Sequence, residues 1–527
     1  MTAPRIVLPA ALLAASLATS GVAFASHRTG LPLGPSDLPE TRTTRTLAPG
    51  VTLTTILRGT PDPNASWTVE IAIPSGQGSP DPDAPPAALK DKADADAAAA
   101  KLQAAGLNAR VESVPTPKLF DAGGNNLGYR VRVGSVPTKA EADAIRTQVL
   151  ATGLSGSSIY TGWDGEPDDV ANSTGPWSVQ VLTVDPHRFH GTLRGSYGPD
   201  LERREKTSAL AAGAVAGVNA GFFVLDPAAG APGDPAGVGA YDGRFVSEPV
   251  AGRPALLVRD DSHSTSIVRL GWRGSVAGMP LDGLNRVPGL IRNCGGRGDS
   301  PTDLPMHDFT CTDADELIAF DGSYGASTPA GPGAEAVLDR QGRVTEVRSA
   351  RGGAVPAGGR TVQATGGLAD QLRAVARIGS KLDVRSWLVD ERGRPMPIGP
   401  RTSIINGGPE LVLNGQEHAT PARDGMARAG DPNFYYGWVH KRNPRTLAGV
   451  DGAGRTVLVT VDGRSTASLG LGIGEAAAVA KALGLRNAMN LDGGGSTTMV
   501  VGGQVVNMPS DAAGERPVGD ALIVSGG

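Results

Sequence analysis

The sequence predicts an α+β protein in which a small domain precedes a larger domain built mainly of strands. Three observations predict this class. Residues 66–161 alternate strand and helix patterns in the order βαββαβ, which is typical of a split βαβ domain. From residue 176 onward, short apolar strands are separated by Gly and Asp turns, with few helical patterns. Glycine (74 residues) and proline (41 residues) together exceed a fifth of the 527 residues, which indicates many turns and long loops.

The elements of the small domain follow from periodicity and from end signals. Residues 128–136 alternate cleanly, so Val131 and Val133 share one face of a strand while Arg130 and Arg132 share the other. The other predicted elements are strands over 66–73, 108–114 and 157–162, a helix over 87–105 that ends at Gly106, and a helix that starts with a capping box of Thr138 and Glu141 and ends at Gly153.

The larger domain is predicted over 176–527, and its clearest helix is GEAAAVAKAL (474–483), which leads into a buried strand ending in NLD. Polar, Gly- and Pro-containing stretches predict linkers over 26–63 and 164–175, and the first of these contains one strand pattern, VTLTTIL (51–57). Further strands of the larger domain are predicted over 177–184, 317–322, 336–347, 456–463 and 521–526.

The amino terminus and the charge balance predict where the protein acts. Residues 1–25 read as a secretory signal, with Arg5 before an apolar stretch and Ala23-Phe24-Ala25 before a cleavage point. No later segment is long and apolar enough to predict a membrane span. A net charge of -4 gives no basic footprint for nucleic acid. We therefore expect an exported protein, and we expect its two cysteines, Cys294 and Cys311, to form a disulfide.

The stretch NLDGGGSTTMV (490–500) carries the strongest chemical signal. Asp492 ends an apolar strand, and Gly493, Gly494 and Gly495 follow it directly. Glycines allow close approach of a ligand, and successive backbone N–H groups can then turn toward an anion. Ser496 adds a hydroxyl donor. A tight turn capped by the aspartate is the alternative interpretation of this stretch alone.

Other polar residues recur where apolar strands end, which is where sites are built on rigid scaffolds. The stretches that show this pattern are VNAGFF (218–223) with Asn219, RTSIINGGPELVLNG (401–415), RNPRT (442–446) with Arg445, VDGR (461–464) with Asp462 and Arg464, and PSDAAGERPVGDALIV (509–524) with Glu515.

Taken in order, these stretches resemble the phosphodiester glycosidase family over roughly the last 350 residues. One departure is Ala220, where the family pattern has a second glycine. The resemblance implies hydrolysis of a sugar-1-phosphodiester at the C1–O bond of the sugar. Arginines suit the phosphate, since their planar donor fork matches its oxygens.

The resemblance implies these roles: Arg445 and Arg464 bind phosphate with help from Gly493, Gly494 and Ser496; Asp492 and Glu515 act as nucleophile or base and acid; Asp462, a third catalytic residue, and Asn219 orient the sugar or its neighbours. The roles of the two carboxylates stay open. A separation of about 5 Å between them would predict retention of configuration, and about 6.5–9.5 Å inversion. No metal-binding pattern or required cofactor is indicated; Ca²⁺ at DADE (313–316) lacks the EF-hand spacing, and His440 fits an ordinary loop residue better than a phosphate ligand.

Residues 64–163 resemble a SPOR domain, a module that binds peptidoglycan glycan strands, through WTVEIAI and GYRVRVGSVPTKAEADAI. The resemblance implies a wall-associated protein whose sheet exposes Trp67, Tyr129 or Arg132 to a sugar chain, although strand alternation equally allows the two aromatic residues to be core residues. Two further interpretations of the whole chain stay open: a non-catalytic wall-binding protein, and a phosphodiesterase that cuts the P–O bond.

Overall fold

The computed structural model describes residues 30–73, 87–250, 252–260, 264–295, 304–428 and 430–526. The predicted signal segment, residues 1–25, lies outside these residues. Residues from Leu31 onward form one compact unit, so the two predicted domains can be described in one frame. No helix in the described part of the chain is long and apolar enough to cross a membrane.

The small domain is a four-stranded antiparallel sheet covered on one face by two helices. Apolar side chains of alternate strand positions, such as Val69 and Val131, pack against Leu102 and Val149 of the helices. Thr138 and Glu141 form the predicted capping box. The strands lie in the order Ala109–Pro115, Asn126–Val136, Trp67–Ala72 and Ser155–Tyr160, and the helices are Lys92–Ala104 and Lys139–Ala151.

An eight-stranded antiparallel sheet forms the centre of the larger domain. The helix Ile473–Ala482, predicted over 474–483, packs on it through Ile473, Ala476 and Val479. Its strands lie in the order Glu40–Ala48, Val51–Arg58, Trp177–Val184, Thr456–Val461, Arg445–Asp451, Leu485–Asn490, Glu410–Leu413 and Gln416–Glu417.

The prediction of a linker over 26–63 is wrong for most of the described residues in this range, which form two strands. Residues Glu40–Ala48 and Val51–Arg58 form a hairpin, and the second strand pairs along its whole length with Trp177–Val184. The first strand is an edge strand rich in Thr and Arg, so it has no apolar face to reveal it in the sequence.

In the described part of the chain, five further sheets and several short helices complete the larger domain. One five-stranded sheet contains Gln504–Val505, Met499–Val501, Ala216–Asn219, Ala521–Ser525 and Thr192–Ser196. A seven-stranded sheet contains Arg244–Ser247, Gly239–Tyr241, Thr402–Asn406, Pro254–Arg259, Ser264–Val276, Met279–Pro280 and Val384–Asp390. The second five-stranded sheet contains Gly283–Leu284, Leu317–Asp321, Arg360–Ala364, Ser327–Leu338 and Val344–Ala354, and a two-stranded sheet pairs Glu205–Lys206 with Pro517–Val518. The helices are Pro167–Asn172, Thr207–Leu210, Leu368–Val375 and Pro432–Tyr435, with a π-helical turn over Tyr436–His440 and 3₁₀ turns over Thr161–Trp163, Pro227–Ala229 and Gly494–Ser496.

The predicted disulfide between Cys294 and Cys311 is confirmed. It staples a short two-stranded sheet formed by Ile291–Arg292 and Thr310–Cys311. Both cysteines are buried.

The polar face of the small sheet is buried against the larger domain, which corrects the expectation that it is open to a sugar chain. Arg132 is only 2% exposed, and it pairs with Glu70 at 2.8 Å and with Asp164 at 2.6 Å. Lys441 of the larger domain pairs with Glu70 at 3.0 Å, and the Tyr436 hydroxyl donates to the same carboxylate. Sequence alternation placed Arg132 on the polar face, but what covers that face is decided by contacts between distant parts of the chain.

The predicted linker over 164–175 belongs to the same buried interface. Asp164 and Glu166 are buried, and Glu166 pairs with Arg130 at 2.5 Å. Residues Pro167–Asn172 then form a helix instead of a flexible connection. Trp67 is half-buried and packs against Trp163, and the Tyr129 ring is half-buried in the core of the small domain. The expectation of a glycan-binding face formed by Trp67, Tyr129 or Arg132 is therefore wrong for Arg132, and the core interpretation fits the two aromatic residues better.

Candidate active site

Three of the predicted loops meet at Pro444. A Cβ atom added at Gly463 would lie 2.6 Å from the Pro444 nitrogen, and one added at Gly493 would lie 2.8 Å from the Pro444 oxygen. The Gly494 N–H donates to that same oxygen at 3.0 Å. The glycines after Asp462 and Asp492 are therefore needed because the backbone of a neighbouring loop passes directly against them. This contact brings the carboxyl ends of the strands Thr456–Val461 and Leu485–Asn490 beside the amino end of the antiparallel strand Arg445–Asp451.

Asp492 is held by its backbone, and its side chain is half-buried. Its N–H donates to Ala220 O at 2.9 Å, and its carbonyl accepts from Asn219 Nδ2 at 2.8 Å. One carboxylate oxygen, Oδ1, accepts from the Gly493 N–H at 2.9 Å. Because hydrogen bonds hold the backbone N–H and the carbonyl of Asp492, its carboxylate keeps a fixed position, as an active-site group requires.

Asn219 bonds to protein groups around Asp492. It is fully buried, and its Oδ1 accepts from Thr446 Oγ1 at 2.7 Å and from the Thr498 N–H at 3.0 Å, while its Nδ2 donates to the Asp492 carbonyl. These bonds fit the predicted orientation of neighbouring residues and not a direct contact with the sugar. Asn219 fixes the loop that carries Asp492.

The departure from the family pattern at Ala220 is accommodated. Ala220 is buried, and its backbone lies outside the left-handed region. The position that needs glycine is Gly221, where a Cβ would lie 2.9 Å from Asn406 Nδ2 and 3.2 Å from Asp520 Oδ1. Asp520, which the sequence analysis did not single out, accepts from the Gly221 N–H at 2.6 Å, and burial raises its pKa to about 6.

Arg464 stands in a strained conformation beside the Pro444 turn. Its φ is +55°, in the left-handed region that costs a residue with a Cβ about 1–2 kcal/mol. Its Nε donates to Asn443 Oδ1 at 3.1 Å, and its side chain is partly exposed. Strain of this kind persists where the surrounding structure fixes it, and it clusters at functional sites.

Arg445 lies behind Arg464 and is almost completely buried. Its Nε donates to Leu471 O at 2.9 Å, and its Nη2 donates to Trp438 O at 2.7 Å. Burial, followed by the neighbouring charge of Arg464, lowers the pKa of Arg445 to about 9. Arg445 is thus a scaffold residue rather than a direct phosphate ligand, but it adds positive charge behind Arg464. Arg442, by contrast, is neutralised by Glu475 at 2.8 Å.

Asp462 is also a scaffold residue, which fits the predicted orientation of neighbouring residues and not the predicted catalytic role. It is buried, and its Oδ1 accepts from the Met508 N–H at 2.8 Å and from Asn507 Nδ2 at 3.1 Å. Burial raises the pKa of this carboxyl. Through these bonds Asp462 fixes the start of the loop that carries Asp511 and Arg516.

Asp511 and Arg516 lie over the glycine loop, and the sequence analysis assigned neither. A Cβ added at Gly495 would lie 2.1 Å from Arg516 Nη2 and 2.2 Å from Asp511 Oδ1. The two side chains pair at 2.7 Å. The spacing of an acid and an arginine within PSDAAGERP was visible in the sequence, but nothing there indicated which of its charged residues faces the loop.

The predicted catalytic residue Glu515 bonds to Ser208 and not to the glycine loop. Its carboxylate accepts from the Ser208 N–H at 2.7 Å and from Ser208 Oγ at 2.6 Å. The structure thus brings Arg516, and not the adjacent Glu515, against the glycine loop. Ser496 and Gly494 are buried, so Gly493 is the half-exposed part of that loop beside Asp492.

The described residues contain one group of acids spaced to hold a metal ion, namely Asp164, Glu166 and Asp169. It lies at the interface with the small domain, where Arg130 and Arg132 already pair with two of its members. In the DADE stretch, Glu316 is buried against Arg286 at 2.5 Å. His440 is buried, and neither of its ring nitrogens has a hydrogen-bond partner.

Comparisons with known proteins agree with this architecture. Residues 332–525 match the family model described as phosphodiester glycosidase, and residues 87–160 match the SPOR domain. N-acetylglucosamine-1-phosphodiester alpha-N-acetylglucosaminidase of Mus musculus is 31% identical over 163 residues, which is 30% of this chain and 30% of that protein. The chain thus spans less than a third of the length of this relative.

Two solved structures are similar over nearly the whole chain. A putative exported protein of Burkholderia pseudomallei K96243 is 33% identical, with a TM-score of 0.83 and coverage of 94% of this chain and 98% of that one. A hypothetical protein from Synechocystis shares the fold, with 18% identity, a TM-score of 0.51 and coverage of 92% of this chain and 76% of that one. The carboxyl-terminal part of the chain carries a phosphodiester glycosidase domain, and a SPOR domain precedes it.

Proposed function

We propose that the protein hydrolyses the C1–O bond of sugar-1-phosphodiesters at the loops that meet at Pro444. The observation that carries the proposal is the strained, partly exposed Arg464 with the buried charge of Arg445 behind it. Two guanidinium groups in one place favour an anion, and the half-buried Asp492 lies on the facing side of the same turn.

The chemistry divides between cations and a carboxylate. Arg464 and Arg516 bind the phosphate and hold the charge that grows on it as the C1–O bond breaks. The phosphate monoester leaves with the bridging oxygen and both bonding electrons. Asp492 either accepts the proton of a water molecule that attacks C1 or attacks C1 itself, and water then releases the sugar. A phosphate monoester is a fair leaving group, so a strong general acid is less important.

The proposal is tested by measuring sugar release from a sugar-1-phosphodiester by the full chain and by Asp492→Asn. We expect the substitution to lower kcat by about 10²–10⁴, since it removes the acid–base or nucleophilic step. Arg464→Gln should lower kcat/KM by about 10²–10³, the usual effect of losing a transition-state donor. The matched controls are Asp242→Asn and Arg194→Gln, which form an exposed pair.

A wild-type chain that releases no sugar would overturn the proposal and favour a non-catalytic wall-binding protein. Equal rates for Asp492→Asn and Asp242→Asn would remove Asp492 from the mechanism.

Export and binding to cell-wall glycan complete the proposal, and both are supported by the SPOR domain and by the similarity to a putative exported protein. Since the polar sheet face is buried, we place glycan contact at the exposed groove between the two helices, lined by Lys101, Leu107, Gln148 and Thr152. Co-sedimentation with purified peptidoglycan tests this. We expect the full chain to sediment and Lys101→Ala/Gln148→Ala to stay in solution, whereas a wild-type chain that remains in solution would refute wall binding.

A further inference from the structure

A second cationic cluster lies apart from the Pro444 loops. It consists of Arg253 and Arg428, which both contact His307, and we call it the Arg253–Arg428 cluster. Arg253 Nη2 lies 3.1 Å from His307 Nδ1, and Arg428 Nη2 donates to His307 O at 2.5 Å. The two guanidinium groups therefore converge on one residue.

In the described part of the chain Arg253 forms no ion pair with an acid, and Asp424 is the only acid whose charge acts on it. Arg253 is only 6% exposed, and its Nε has no hydrogen-bond partner. The nearby carboxylate of Asp424 is occupied, because it pairs with Arg269 at 2.5 Å and accepts from the Glu410 N–H at 2.9 Å. Burial accordingly lowers the pKa of Arg253 to about 10.

Arg428 is compensated only weakly. Its side chain is 10% exposed, its closest acid is Asp431 at 3.9 Å, and its Nε has no partner. Burial lowers its pKa to about 10 as well. A third arginine nearby, Arg292, differs from these two because it is paired with Asp308.

His307 does not supply the missing negative charge. Burial and the charges of Arg253, Arg292 and Arg428 hold its pKa well below the usual range, so the ring is neutral and its Nδ1 can accept from Arg253. A neutral ring leaves both arginine charges in place.

Aromatic rings enclose the cluster. Arg428 lies 3.7 Å from the Phe434 ring centre, and Arg253 lies 5.1 Å from that of Phe222. These faces offset part of the cost of burying a cation, but they give no acceptor to the Nε of either arginine. The indole Nε1 of Trp438, whose ring lies edge-on 6.1 Å from His307, is a further buried donor without a partner.

We propose that the Arg253–Arg428 cluster is a binding site for an oxyanion of phosphate size. Both guanidinium groups carry buried positive charge, and the Nε of each and the Trp438 indole N–H lack acceptors, so an oxyanion supplies both the charge and the acceptors. Trp438 connects this site to the first, since its carbonyl accepts from Arg445. The cluster is thus a second anion site, which Trp438 links to Arg445.

Calorimetric titration of the full chain with inorganic phosphate tests the assignment. We expect two phosphates per chain for the wild type and one for Arg464→Gln. Arg253→Gln and Arg428→Gln, each in the Arg464→Gln background, should weaken the remaining site at least tenfold. The exposed Arg194→Gln serves as the control in that background.

Loss of all phosphate binding in Arg464→Gln alone, or unchanged binding in Arg464→Gln/Arg253→Gln, would overturn the assignment. This outcome is separate from the proposed hydrolysis, because no turnover is measured. If the substituted chains do not fold, wild-type crystals soaked in selenate give the answer: an anomalous peak between Arg253 and Arg428 supports the site, and its absence refutes it.

Discussion

Replacing Arg132 by methionine tests whether the SPOR sheet is closed off by the larger domain. Arg132 donates to both carboxylate oxygens of Asp164, at 2.6 and 2.8 Å, and to Glu70 at 2.8 Å. Methionine fills similar space but leaves two buried carboxylates with fewer partners. Removing one member of a buried ion pair costs about 3–5 kcal/mol.

The lower end of that range applies here, because both acids retain other partners. Glu70 keeps Lys441 at 3.0 Å, and Asp164 keeps Arg130 at 3.5 Å. We therefore expect Arg132→Met to lower the free energy of unfolding by about 3 kcal/mol. Arg110→Met is the matched control, since Arg110 lies on the same sheet but is 40% exposed in its pair with Glu112. Its loss should cost less than about 1 kcal/mol.

Urea unfolding followed by circular dichroism measures both values. A double-mutant cycle with Asp164→Asn should recover about 1–3 kcal/mol as coupling between the two residues. If Arg132→Met costs no more than Arg110→Met, the sheet face is open, and the buried interface described above is wrong.

Three further predictions concern the glycine loop, the loss of stability at low pH and the residue that holds Asp492. Gly495→Ala should fold normally but lose at least tenfold in sugar release, because its Cβ displaces Arg516; Gly322→Ala, with open space around it, is the control in the same assay. Burial lowers the pKa of His440 to about 4, so the folded protein favours the neutral ring. The free energy of unfolding that this ring contributes is fully present above pH 6.5. It falls by about 3 kcal/mol as the pH drops toward 4. His440→Leu should remove that loss in urea titrations at pH 7 and pH 4, and an unchanged difference between the two pH values would contradict the reasoning. Asn219→Ala should cost about 3 kcal/mol in unfolding free energy and reduce sugar release, because two buried donors lose their acceptor; full activity would show that the Asp492 loop holds itself.

The sequence predicted the strands that show a local pattern of apolar residues, and it missed a strand that lacks one. The alternation of 128–136 predicted a strand with its two arginines on one face, and the structure has the strand Asn126–Val136 with Arg130 and Arg132 both buried beneath the larger domain. The strand Val51–Arg58 was visible as VTLTTIL, whereas its edge partner Glu40–Ala48 was not, because threonines and arginines occupy both of its faces.

In the candidate site too, the sequence predicted some residues, whereas other contacts were visible only in the structure. Asp492 and Arg464 were found from their place at strand ends, and the structure brings their loops together at Pro444. The sequence could not show that Asn219 bonds back to the Asp492 loop, or that Arg516 turns toward Gly495, since both depend on contacts between segments far apart in the chain. Charged residues in a loop are recognisable from sequence, but their direction is set by packing.

Hydrolysis of a sugar-1-phosphodiester in ¹⁸O-labelled water tests the central claim most directly. If water attacks C1, the label enters the sugar and the phosphate monoester keeps its original oxygens. Mass spectrometry of both products, with Asp492→Asn as the blank, should find the label in the sugar alone. Label in the phosphate would show cleavage of the P–O bond and would contradict the glycosidase mechanism.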